Sequence, residues 1–89
     1  MSDLEAAFAK AQQDIKSLKQ RPSDDDMLKL YSLYKQASAG DVSGKRPGML
    51  DLVGRAKYDA WSKLTGLDRD DAMESYVSTV NGLIERYGR

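Results

Sequence analysis

The chain contains no cysteine and no histidine. The first absence excludes disulfides, a thiolate nucleophile and zinc held by thiolates; the second removes the commonest general base and metal ligand. Most familiar catalytic constellations go with them, and no cofactor or metal requirement is expected. Excess charge is missing too: 14 Lys and Arg stand against 14 Asp and Glu, so no global field favours nucleic acid or an anionic surface. Any anion site must be a local arrangement. No apolar run approaches the roughly 20 residues that cross a bilayer, and the start MSDLEAAFAKAQQDIK has early acids and no apolar stretch of the kind targeting segments carry. A cytoplasmic location without stable membrane insertion is the expectation. With 89 residues there is room for one domain, 1–89, which buries only about 60 to 65% of its unfolded surface. A sizeable ligand must share its core or lie across it.

Strand alternation, repeats and low-complexity tracts are equally lacking, and helical period fills most of what remains. Leu4, Phe8, Ala11, Ile15 and Leu18 recur at steps of four and three, which predicts a helix over 4–19 that stops before Pro22. Ser23 with Asp26 three positions on has the spacing of a capping box, Asp24 and Asp25 suit the positive end of a helix, and Met27, Leu30, Tyr34 and Ala37 form the next stripe up to Gly40. Residues 40–52, GDVSGKRPGMLDL, hold three Gly and one Pro without period and form the longest connection. A third helix over 53–65 carries Ala56, Ala60 and Leu64 with Tyr58 and Trp61 beside them; Gly66 ends it. Asp68 caps a fourth, striped by Met73, Tyr76, Val77, Val80, Ile84 and Tyr87 and closed by Gly88. The expected fold class is all-α, a four-helix bundle, in which the long connection between helices 2 and 3 permits a parallel step.

Two segments carry candidate chemistry. In 31–41, YSLYKQASAGD, Tyr31 and Lys35 lie one turn apart with Tyr34 adjacent, and in 45–61, KRPGMLDLVGRAKYDAW, Lys57 follows near the start of the third helix. Phosphate needs cations and hydroxyl donors, and a purine needs a flat π-face; this cluster offers both. Spacing alone equally describes core tyrosines with polar tips beside lysines that only solvate their faces. Asp68, Asp70 and Asp71 do not make a calcium loop, because Met73 stands where the EF-hand pattern needs Gly; helix capping accounts for them. Plentiful serines have no His to activate them, so a hydrolase is not expected. Lys45, Arg46, Arg55, Lys57 and Lys63 lack a nucleic-acid docking motif and sit in a neutral chain. A purely structural interaction bundle is the alternative to a ligand carrier.

The run Tyr31-Ser32-Leu33-Tyr34-Lys35-Gln36-Ala37 with Gly40-Asp41, and the run Arg46-Pro47-Gly48-Met49-Leu50-Asp51 continuing through Gly54, Ala56, Lys57, Tyr58, Ala60 and Trp61, resemble the acyl-CoA-binding protein (diazepam-binding inhibitor) family from Phe8 to Tyr87-Gly88. The resemblance implies an up-down-down-up four-helix bundle and a monomeric, non-catalytic intracellular carrier of long-chain acyl-CoA. It implies that Tyr31, Lys35 and Lys57 hold the adenosine 3'-phosphate, within a ligand-binding run that includes Ser32, Leu33 and Tyr34. Tyr76 would contact the adenine-ribose end and Lys16 would add a polar contact. Phe8, Met27, Leu28 and Leu30 fall where that family builds its acyl groove or its core, and the sequence does not separate the two. Val53 stands where many members place a lysine, and Tyr58 where they often place Trp.

Overall fold

The computed structural model describes residues 3–88. It contains four α-helices, α1 (Asp3–Asp14), α2 (Asp24–Ala39), α3 (Leu52–Ser62) and α4 (Arg69–Tyr87), and a 3-10 turn, Ile15–Ser17, that continues α1. Helices α2, α3 and α4 start on side-chain caps: Ser23 accepts from the Asp26 N–H at 3.1 Å, Asp51 from the Gly54 N–H at 2.9 Å and Asp68 from the Asp70 N–H at 3.1 Å. Only half of the expected capping box forms at α2; the Asp26 carboxylate lies 4.0 Å from Arg86 on α4.

Two helices end earlier than their periodicity predicts. Around Asp14 the Ser17 hydroxyl donates to the Asp14 carbonyl at 2.7 Å, and the α-helix tightens into the 3-10 turn before Leu18 becomes extended. After Trp61 the same competition recurs: Ser62 donates to the Asp59 carbonyl and Thr65 to that of Ser62, each at 2.8 Å. The backbone follows with three-residue turn bonds, Leu64 N–H to the Trp61 carbonyl at 3.0 Å and Leu67 N–H to that of Leu64 at 2.9 Å. Gly66 completes this turn at φ +91°, a left-handed conformation in which a side chain would be strained.

Contacts between residues fix the direction of each helix. Tyr31 meets Lys57, Lys35 meets Trp61 and the Gly40 carbonyl also meets Trp61, so α2 and α3 run parallel, a step the long connection makes possible. Phe8 meets Tyr76, and the Lys19 N–H reaches the Gly88 carbonyl at 3.2 Å; α1 and α4 are parallel as well. Asp26 near the start of α2 faces Arg86 near the end of α4, while Gln36 reaches Leu67, making α2 and α4 antiparallel. The order is up-down-down-up.

The core lies among α1, α2 and α4. Ala11, Leu30, Leu33, Tyr76, Val80 and Leu83 form one buried cluster, with Phe8, Ile15, Leu18, Leu64 and others packed on it; Ala37, Ala72 and Met73 form a second, bridged to the first by Phe8 and Leu67. Leu83 and Ala72 extend the α4 stripe beyond the residues its period singles out. From α3 only Trp61 is buried, and that helix packs chiefly on α2. It stands off the core and leaves a groove along its seam with α2.

Candidate ligand groove between two parallel helices

The groove has a volume of about 540 Å³ and is lined by Arg21, Asp24, Met27, Leu28, Tyr31, Leu52, Val53, Ala56 and Lys57. Its chemistry changes along its axis. At the N-terminal ends of both helices Met27, Leu28, Leu52 and Val53 line it, together with the exposed Arg21–Asp24 ion pair; one turn further the Lys57 ammonium stands 5.2 Å over the Tyr31 ring, and a turn beyond that Lys35 stands 4.9 Å over Trp61. Met27 and Lys35 are thus about 12 Å apart along α2 at 1.5 Å per residue. Among the described residues neither ammonium has a carboxylate at ion-pair distance. Each rests on a ring by a cation–π contact of about 0.5 to 1 kcal/mol, weak enough to be exchanged for a phosphate.

The wall that carries α3 is held in place by the residues of the connection before it. Arg46 donates two bonds to Asp59, Nε to Oδ1 at 2.8 Å and Nη2 to Oδ2 at 2.6 Å, which holds the Asp59 carboxyl below its ordinary range and raises the guanidinium. The Tyr58 hydroxyl donates to the Gly44 carbonyl at 2.9 Å, and Trp61 Nε1 to that of Gly40 at 2.8 Å. Asp41 lies where α2 ends: its Oδ1 accepts from the Gly66 N–H and from Gln36 Nε2, both at 2.8 Å. Those bonds, the Gly66 N–H first, lower its carboxyl below the ordinary range. Gln36 also donates to the Leu67 carbonyl at 2.9 Å, so one buried amide ties α2 to the α3–α4 turn, while its Oε1 has no partner. A Cβ at Gly54 would collide with the Asp51 carboxylate that caps α3, so a side chain there would displace the cap.

Tyr31, Lys35 and Lys57 are therefore brought together along one seam, with Met27 and Leu28 on its aliphatic end. The other expected residues lie elsewhere. Leu30 and Leu33 are buried in the core, and Ser32 is buried with its hydroxyl donating to the Lys29 carbonyl at 2.8 Å. Phe8 stacks near Tyr34 at 6.3 Å between centroids and presents an edge contact to Tyr76 at 5.1 Å. Tyr76 is 5% exposed; burial, and secondarily Tyr34, raises its phenol pKa. Lys16 is exposed on the 3-10 turn, outside the groove lining. Sequence reasoning did not select Arg21, Asp24, Leu52, Val53 or Ala56 as lining residues. Their signal is the juxtaposition of two helix N-termini, which no local spacing carries. Two other depressions, about 490 and 440 Å³, run along α4 with mixed polar linings, and neither lining includes a pair of cations.

An all-helical chain with a groove whose aliphatic side chains gather at one end and whose lysines and aromatic rings gather at the other is a binding protein for an amphiphile. The family model described as "Acyl CoA binding protein" matches residues 5–80. Similarity extends to an acyl-CoA-binding protein homolog from Manduca sexta, 49% identical over 86 residues and covering 96% of each chain. Among solved structures, Oryza sativa Acyl-CoA-Binding Protein 2 superposes with a TM-score of 0.89 at 38% identity, over 93% of this chain and 90% of the other. The acyl-CoA-binding protein of Moniliophthora perniciosa gives 0.86 at 36% identity over 97% and 83%. The chain belongs to the acyl-CoA-binding protein family.

Proposed function

We propose that this chain binds long-chain acyl-CoA non-covalently along the α2–α3 groove and carries and buffers it, as a single-domain monomer in the cytoplasm that needs no cofactor and performs no catalysis. The observation that carries this reading is the gradient along the seam. The fatty tail lies toward Met27, Leu28, Leu52, Val53 and Ala56, where each methylene taken from water contributes about 0.8 kcal/mol. The phosphates lie against Lys35 and Lys57, whose ammonium groups leave their rings for charge-assisted bonds of about 1.5 to 3 kcal/mol each, and the Tyr31 hydroxyl adds one donor. Phe8, Leu30, Ser32, Leu33 and Tyr76 support α2 from behind, and Tyr34 and Lys16 act at the periphery of the head group. Membership in a family of binding proteins supports the non-catalytic reading.

Thermal denaturation with palmitoyl-CoA tests it. A ligand that binds only the folded chain stabilises it by about 2.7 kcal/mol at a hundredfold excess over Kd, so the melting temperature rises with ligand concentration. A melting temperature unmoved at saturating ligand would favour a bundle that only contacts other proteins.

A further inference from the structure

A charged pair closes the aliphatic end of the α2–α3 groove. Arg21 and Asp24 line it with Met27, Leu28, Leu52 and Val53, and Arg21 Nη1 donates to Asp24 Oδ1 at 3.1 Å. Asp24 sits one turn before Met27 and Leu28 on α2, on the face they share. From Asp24 to Lys35 that helix advances about 16 Å at 1.5 Å per residue, so the pair and the head-group lysines stand at opposite ends. Pro22 is buried between the two charges and Ser23 caps the helix, which fixes the backbone that carries them. Both side chains remain mostly in water, 70% and 87% exposed. Such a pair contributes little to stability, and its bond is exchanged for a ligand's at small cost. It uses Nη1 and Oδ1 and, among the described residues, leaves Nη2 and Oδ2 open.

We propose that Arg21 and Asp24 form a subsite for the far end of the ligand's chain, and that this groove takes acyl-CoA esters with a terminal hydroxyl, ω-hydroxyacyl-CoA, as a ligand class. The proposal rests on the acyl-CoA reading, which directs the tail toward Met27, Leu28, Leu52 and Val53. A chain that fills this stretch delivers its last carbon to the pair. A methyl group there dehydrates two charges and returns no hydrogen bond. A hydroxyl carries one donor and two acceptor positions, so it donates to Asp24 Oδ2 while accepting from Arg21 Nη2 and brings no charge of its own. A terminal carboxylate can only accept; it gains Arg21 but meets the Asp24 carboxylate, and like charges that share a site repel. The same neutralisation argues against a second phosphate position here. Lys57, the other cation of the lining, has no carboxylate at ion-pair distance among the described residues, whereas Arg21 already has Asp24.

The test is calorimetric titration of three ligands of one chain length, palmitoyl-CoA, ω-hydroxypalmitoyl-CoA and the ω-carboxy ester, into wild type, Asp24→Asn and the double variant Arg21→Leu with Asp24→Leu. Palmitoyl-CoA is the reference within each protein and reports that its fold and groove are intact. Wild type should bind the hydroxy ester at least as tightly as palmitoyl-CoA, and the carboxy ester about tenfold more weakly. In the double variant the hydroxyl has no partner, and the hydroxy ester should fall about tenfold below palmitoyl-CoA. Asp24→Asn removes the like charge and keeps the guanidinium, so the carboxy ester should gain several-fold relative to palmitoyl-CoA; this arm decides if the double variant does not fold. The same ratio of hydroxy ester to palmitoyl-CoA in wild type and double variant would overturn the proposal, and so would a carboxy ester indifferent to Asp24→Asn. Wild type that binds no palmitoyl-CoA would overturn the acyl-CoA reading itself, and the proposal with it.

Discussion

Lys35 and Lys57 occupy opposite walls of the seam, and each uses an aromatic ring as its partner while no carboxylate among the described residues claims it. Two ammonium groups held about a turn apart, neither neutralised, suit a dianionic phosphate. Lys35→Ala and Lys57→Ala should each weaken palmitoyl-CoA binding by about 2 to 3 kcal/mol with little loss of fold stability, and Tyr31→Phe by about 1 kcal/mol, because it keeps the ring and loses one hydroxyl bond. Calorimetry with the acyl-3'-dephospho-CoA analogue checks the assignment: the lysine variants and wild type should bind it alike. That these three residues lie near one another was legible in part: Tyr31 and Lys35 share a helix face, and the family resemblance groups Lys57 with them. The roles of Gln36 and Asp41 were not legible in physical terms. Gln36 finds its partner at Leu67, 31 positions away, and Asp41 at Gly66, 25 positions away; no helical period links such pairs. The sequence also left Leu30 open between core and groove, and burial assigns it to the core.

Helix existence and order follow from stripes and caps, and the Ser23, Asp68, Gly40 and Gly88 boundaries match their sequence signals. The ends of α1 and α3 did not, because hydroxyl side chains at Ser17, Ser62 and Thr65 compete for carbonyls within a stretch whose apolar period continues. A stripe reports which face is buried and not whether the backbone stays α-helical. Gly82 is the converse case. It interrupts α4 on an exposed face, and a Cβ there would meet nothing within 4 Å. Gly82→Ala should therefore stabilise the protein by about 0.5 to 1 kcal/mol through helix propensity and reduced freedom of the unfolded chain. A higher urea midpoint with an unchanged m-value is the expected readout; a lower midpoint would mean that α4 needs flexibility or close approach at that position.

The parallel α2–α3 step exposes a seam instead of burying it, and polar bonds around the 40–51 connection hold it open. Four of those bonds end on two ionised carboxylates, those of Asp41 and Asp59. Asp41 and Asp59 both have folded pKa values below the unfolded value of about 3.9, so their stabilisation is fully present above that value and is lost as the pH falls through the lower folded values. Stability should be insensitive to these groups near neutrality and should drop below about pH 4. Asp41→Asn should flatten the acid limb of a plot of melting temperature against pH. With no strong global field in a neutral chain, ligand selectivity should then rest on how much tail the groove covers and how well the head meets its cations. The most direct test is calorimetric titration with saturated acyl-CoA esters of increasing length, free CoA included. Affinity should rise by roughly 1.6 kcal/mol for each two carbons and flatten once the groove is filled, with free CoA far weaker than any long-chain ester. Equal affinity for free CoA and palmitoyl-CoA would show that the α2–α3 groove takes no acyl chain.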